Sequence, residues 1–170
     1  MPVKVNGLPA HVLLVHAVVV FVPLAALMLV ASAIWPAARA KLGFLTPAVA
    51  LVALILVPIT TNAGHWLQNH LNNDFGHTDP RVLHHAHLGA QLLWWVIPLF
   101  VLSAGVWLIG RRFDLVWRPA DGENQRALPV WVTAVVAVVA VGVAVGTLIW
   151  VIRIGESGSR SIWRPGSFTG

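Results

Sequence analysis

Four long apolar stretches, roughly residues 10–34, 44–66, 87–110 and 129–152, alternate along the chain with polar segments. Each is long enough to cross the hydrocarbon core of a bilayer, which takes about 20 residues of helix. The first opens at Leu8-Pro9, where proline suits the start of a helix, and stops at Trp35-Pro36; the last opens at Leu128-Pro129. The pattern predicts an all-α integral membrane protein, a four-helix bundle threaded up-down-up-down with short polar loops. Ala38-Arg-Ala-Lys41 follows the first stretch and Lys4 is the only charge before it, which predicts a retained span and not a cleaved signal.

The segments between the stretches divide the chemistry. Residues 67–86 hold most of the polar side chains, with Gly76 and Asp79-Pro80 as turn signals, and read as a polar loop. Residues 111–128 carry both signs of charge around Pro119 and Gly122 and read as a solvated loop at the opposite rim. Residues 1–154 form one four-helix domain on this reading. The tail, 155–170, is too short to fold alone and is expected to drape over the end of the bundle or stay disordered.

Composition agrees with a membrane setting. Hydrophobic residues make up 58% of the 170 positions and charged residues 10%, against about a quarter charged in soluble domains. Trp35, Trp66, Trp107, Trp131 and Trp150 fall near proposed span ends, where indole favours the headgroup layer. The absence of cysteine excludes disulfides, thiolate metal sites, iron–sulfur clusters and covalent c-type haem. The net charge of +5 sits mainly in loops and tail, which suits anionic headgroups; no nucleic-acid motif occurs. Arg39, Lys41, Arg111, Arg112, Arg118 and Arg126 flank one face, against Lys4 and Arg81 at the other. The positive-inside rule then places the second face and both termini outside the cell, a bias that Arg153, Arg160 and Arg164 reduce.

All eight histidines map to that second face: His11 and His16 open the first span, His65 and His70 end the second, and His77, His84, His85 and His87 precede the third. At 100° per residue, His11 and His16 point about 140° apart, as do His65 and His70, so no single helix chelates and a site must draw on several. His16 lies about two turns inside its span, where an imidazole needs a hydrogen bond, a metal or a haem iron. Thr60, Thr61 and Asn62 extend the polar lining inward. Pro23, Pro58 and Pro98 interrupt the spans and are read chiefly as architecture. Gly142-x-x-x-Gly146 is a small-residue spacing suited to close helix contact, within the chain or between copies. The spans hold no acidic residue, which leaves a charge relay across the bilayer without a basis. Ser157, in Gly155-Glu-Ser-Gly158, lacks the full nucleophile-elbow spacing and is read as a turn; an enzyme acting alone is not expected.

The opening Gly7-Leu-Pro-Ala-His11 through His16 and Pro23, the middle Gly64-His-Trp-Leu67, His85-Ala-His-Leu-Gly89 and Arg153-Ile-Gly-Glu-Ser-Gly158 together resemble the bacterial membrane family called domain of unknown function 2231, in its actinobacterial form. The resemblance implies a four-helix module of the bacterial cell membrane. Some members resemble fusions to Rieske-like or cytochrome-like domains, which implies redox work by association. In the family the position of His65 is often glutamate and that of Glu156 often histidine. The exchange implies that the ends of the second and fourth spans meet, with His65 and Glu156 within hydrogen-bonding or shared-ligand distance.

These residues define a candidate cofactor site of His11, His16, His65 and His85, closed by Glu156. Imidazole and carboxylate suit one zinc, iron or copper ion, whereas two methionines in the whole chain argue against a soft Cu(I) path. The redox alternative is one haem b with His16 and His85 as ligands and Arg153 on a propionate, implying an electron-transfer role and membrane redox partners. The competing expectation is an accessory membrane subunit with no cofactor, held by lipid-facing contacts or by self-association through Gly142 and Gly146.

Overall fold

The computed structural model describes residues 4–5, 8–75, 80–112 and 128–162. A two-residue antiparallel ladder, β1 (Lys4–Val5) with β2 (Leu8–Pro9), precedes α1 (Ala10–Ile34). Pro36 then opens a short α2 (Pro36–Leu42), which ends at Gly43 with φ of 44°, a left-handed conformation that suits glycine. The long helices α3 (Leu45–Phe75), α4 (Pro80–Arg112) and α5 (Val130–Ile162) follow. Among the described residues four helices are long and apolar enough to cross a membrane, and the chain is a multi-pass membrane protein.

Helix α1 has the predicted bounds, but the other three overrun theirs at the histidine end. The segment 67–86 is not a loop over most of its length: α3 continues to Phe75 and α4 begins at Pro80. Its residues 67–75 contain neither glycine nor proline, so nothing stops the backbone ladder until Gly76. Pro80 takes the first helical position, where its missing N–H costs nothing. The tail also departs from expectation, since α5 runs through Gly155 and Gly158 to Ile162. Residues 76–79, including His77, and residues 113–127 and 163–170 lie outside the described set. The membrane-crossing stretches of α4 and α5, 32 and 31 residues long, would reach more than 45 Å at about 1.5 Å per residue. The apolar layer is about 30 Å thick, so these helices are longer than the layer, and their added turns at the histidine end are polar.

Each long helix packs on two neighbours, in the cyclic order α1, α3, α4, α5, and α1 also meets α4 across the diagonal. The second and fourth spans, α3 and α5, form the other diagonal. The contact between their ends implied by the His65 and Glu156 exchange is therefore not the principal packing; α1 and α4 come between. The interior mixes small residues, with Ala25, Ala26, Ala50, Ala53 and Ala140 fully buried, and the larger Val22, Leu29, Val96 and Leu99, while Leu27, Trp94 and Val138 point outward. Apolar surface gains nothing by leaving lipid for protein, so close backbone approach through small side chains is what holds such helices together. Among the buried hydroxyls, Ser32 Oγ lies 3.1 Å from Thr46 Oγ1 on α3, Ser103 and Thr147 donate to Leu99 and Val143 carbonyls at 2.7 Å, and Thr133 Oγ1 has no hydrogen-bond partner among the described residues.

Gly146 serves the chain's own packing. A Cβ there would collide with the Trp95 ring, which stacks on Trp150 at 6.2 Å between centroids. The Gly146 notch expected to seat a second copy is thus filled from within, whereas Gly142, one turn earlier, is exposed with open space around it.

Candidate functional site

His11 is the second residue of α1 and His85 the sixth of α4. The His11 Nδ1 lies 3.1 Å from the Thr60 carbonyl oxygen on α3. A carbonyl only accepts, so Nδ1 carries the hydrogen and, in the neutral ring, Nε2 keeps its lone pair. The His85 Nδ1 lies 2.9 Å from Ser157 Oγ on α5, and that hydroxyl donates to the Ile154 carbonyl at 2.8 Å. With its one hydrogen committed, the serine oxygen accepts from His85 Nδ1–H, and Nε2 is again the unprotonated nitrogen.

Both anchors use the same local device. Gly64 follows Thr60 by four residues, and a Cβ at Gly64 would stand 3.0 Å from His11 Cε1. Gly158 follows Ile154 by four, and a Cβ at Gly158 would stand 3.1 Å from His85 Cε1. In a helix, the side chain at i+4 covers the carbonyl end of residue i. A glycine there opens the groove and lets a ring from the next helix lie against it. Toward the membrane, Trp150 Nε1 donates to the Leu88 carbonyl at 3.1 Å, one turn below His85, and places an indole layer under the site.

The remaining candidates stand elsewhere. His16 is on the exposed face of α1, as the 140° separation from His11 requires, and retains an interaction there. His65 is exposed on α3 beside Gly64. Glu156 is exposed, with Arg160 at 3.9 Å on its own helix; among the described residues it shares no hydrogen bond or ion pair with His65. Arg153 is exposed and lays its guanidinium over Trp150, 5.4 Å from the ring centroid. His84 is exposed, and His87 accepts from Gln91 Nε2 at 2.8 Å. The side chain of His70 falls outside the described set.

Of the five predicted metal-site residues, His11 and His85 are half-buried, each bonded to a neighbouring helix, whereas His16, His65 and Glu156 stand on outer faces. Among the described residues no three His, Asp or Glu side chains converge as a metal-holding group. Thr60 and Thr61 turn their hydroxyls to the Leu56 and Val57 carbonyls, so it is the Thr60 carbonyl, not its side chain, that serves the site. Sequence reasoning missed Gly64, Ser157 and Gly158 as working parts. The signal lies in Thr60-x-x-x-Gly64 and Ile154-x-x-x-Gly158, where the glycine uncovers the carbonyl four residues before it. Ser157 is helical, not a turn, and its proton points away from the imidazole, the reverse of a nucleophile paired with a base.

A family model described as predicted membrane protein (DUF2231) matches residues 7–166, which include both imidazoles and both glycine seats. The chain belongs to this DUF2231 family. No curated protein and no solved structure matches this DUF2231 protein.

Proposed function

We propose that this protein holds one haem b iron, or one zinc, iron or copper ion, through the Nε2 atoms of His11 and His85 at the polar end of its membrane bundle. The supporting observation is that both Nδ1–H groups are already committed, to Thr60 and to Ser157. A metal-binding imidazole characteristically donates its other N–H to a carbonyl or hydroxyl partner, which fixes the tautomer and orients the lone pair. The chemistry of the donor set fits: two imidazoles could hold a haem iron, and a bare ion bound by them would keep open coordination positions. Iron or copper would supply one-electron chemistry there, and zinc Lewis acidity. Arg153, held over Trp150, is the cation available to a propionate. The excess of Arg39, Lys41, Arg111, Arg112, Arg118 and Arg126 at the other rim over Lys4 and Arg81, before the tail's Arg153, Arg160 and Arg164 are counted, supports an extracytoplasmic position in the cell membrane.

The test is an absorption spectrum and elemental analysis on one detergent-purified sample from cells supplied with haem and metals. A Soret band or stoichiometric metal, lost in the His11→Ala/His85→Ala double variant, is expected. Neither signal in the parent protein, or a cofactor that survives the double substitution, sinks the proposal.

A second reading rests on the glycine seats. Each ring also fills a notch between neighbouring helices, α1 on α3 and α4 on α5, as an accessory subunit without a cofactor would use them. On that reading the double variant loses stability while the parent protein carries no cofactor.

A further inference from the structure

Outside the imidazole pair, the first turns of α4 and the last turns of α5 enclose a groove of about 700 Å³. Its polar lining comprises Arg81, His84, Arg153, Glu156, Ser157 and Arg160. Arg153 and Arg160 with Glu156 therefore line its α5 wall, and Arg81, which has an interaction of its own, lines the α4 wall. Glu156 does not cancel them, because its 3.9 Å contact with Arg160 joins side chains that are 62% and 78% exposed, and water screens such a pair. The helix ends do not set the sign either: the positive end of α4 and the negative end of α5 flank the same groove and offset each other. The field is that of the arginines, whose planar forks suit tetrahedral oxyanions.

Depth narrows the ligand. The apolar runs end near residue 152 on α5 and begin near residue 87 on α4. From Arg153 to Arg160 the helix rises about 10 Å, comparable with the headgroup layer of one leaflet, roughly 5–8 Å. Trp150, donating to Leu88 at the groove's floor, marks the boundary below it. The groove thus opens where lipid phosphates lie, and its volume is within the usual range for small-ligand sites.

We propose that this groove binds the phosphate group of an anionic phospholipid. The inference does not rest on the His11 and His85 reading, since the groove can lose its charge with both imidazoles intact. The full-length protein in neutral detergent is titrated with short-chain phosphatidylglycerol, with short-chain phosphatidylcholine and with inorganic phosphate, binding being followed by calorimetry. Phosphatidylglycerol is expected to bind more tightly than phosphatidylcholine. Its affinity should fall at least about tenfold in Arg81→Gln/Arg160→Gln, the loss expected for charge-assisted hydrogen bonds. Arg153→Lys keeps the charge but not the fork and should give a smaller loss. These side chains are exposed, and helical content and monodispersity verify that each variant folds. Equal affinity for the two lipids, or affinity unchanged in the double variant, overturns the proposal. Arginine-dependent binding of inorganic phosphate in preference to phosphatidylglycerol would keep the phosphate site and overturn its lipid source.

Discussion

The imidazole of His11 rests directly on Gly64, so close that a Cβ at Gly64 would stand 3.0 Å from Cε1 and 3.2 Å from Nδ1. Two effects oppose each other in Gly64→Ala. Alanine gains about 0.5–1 kcal/mol of helix preference, and pushing the ring off the Thr60 carbonyl costs a hydrogen bond of about 1 kcal/mol. Overall stability is therefore expected to change by less than about 1 kcal/mol, while the ring itself reports the substitution. In ¹⁵N spectra the His11 Nδ1 resonance should lose its hydrogen-bonded position and the ring should sample both tautomers. Gly89→Ala, with nothing within 4 Å of the added carbon, is the control and leaves the ring unchanged. An unaltered His11 resonance in Gly64→Ala would falsify the seat.

Gly146 differs from Gly64 in what would have to move. The Trp95 ring fills its Cβ position, and Trp95 is itself stacked on Trp150, so an indole cannot step aside without breaking the stack. Gly146→Ala is expected to destabilise the bundle by about 1–3 kcal/mol, the cost of overpacking a close-packed site. Gly142→Ala meets open space and should be neutral or gain up to about 1 kcal/mol. Unfolding titrations of both variants in mixed detergent micelles separate the cases. Equal responses would mean that the two glycines act together as a contact between copies and not as a seat for Trp95.

Much of this architecture is legible in the chain, and the failures have a common cause. Hydropathy marks where lipid ends, which coincides with the helix end at Ile34, where Pro36 stops both, and lies within two residues of the other helix ends at that rim. Elsewhere α3, α4 and α5 continue as polar helix, because a backbone ladder does not need apolar side chains once it is nucleated. The gathering of histidines at one end was equally readable. Angular spacing required that His11 and His16 diverge, but not which of them turns inward. That choice is made by Gly64 and Thr60 on a different helix, and no property of α1 records it. His65 and Glu156, whose residue types are exchanged, lie within two residues of Gly64 and Gly158, on which the His11 and His85 rings rest.

Ser32 and Thr46 form a buried hydroxyl pair between α1 and α3 at the rim opposite the histidines, 3.1 Å apart and each 2% exposed. Replacing one partner strands the other, whereas replacing both with apolar groups of similar shape removes the desolvation cost together with the bond. Ser32→Ala is expected to cost about 1–2 kcal/mol, and Ser32→Ala/Thr46→Val to cost less than the single change. Coupling between hydroxyls in membrane helices averages about 0.6 kcal/mol, so the double-mutant cycle should return a value of that order. Strict additivity would indicate that the two hydroxyls do not bond to each other.

Ser157 supplies the sharpest division between a ligand-bearing His85 and a merely packed one. Ser157→Ala removes the oxygen 2.9 Å from Nδ1 but leaves the ring on Gly158 and the small side chain in place, so packing is nearly conserved. If His85 holds an iron, zinc or copper centre, losing the group that orients its tautomer should weaken retention by about 10–100-fold. Titrating the loaded protein with a chelator and counting residual metal or haem gives that factor directly. Ser159→Ala is the matched control: its hydroxyl is exposed and bonded to the Glu156 carbonyl, and retention should not change. The packing role makes the opposite forecast, because a ring that only fills a notch needs no fixed tautomer. A loaded Ser157→Ala protein that resists chelator as well as its parent would remove the orienting role from Ser157 and the strongest support for His85 as a ligand.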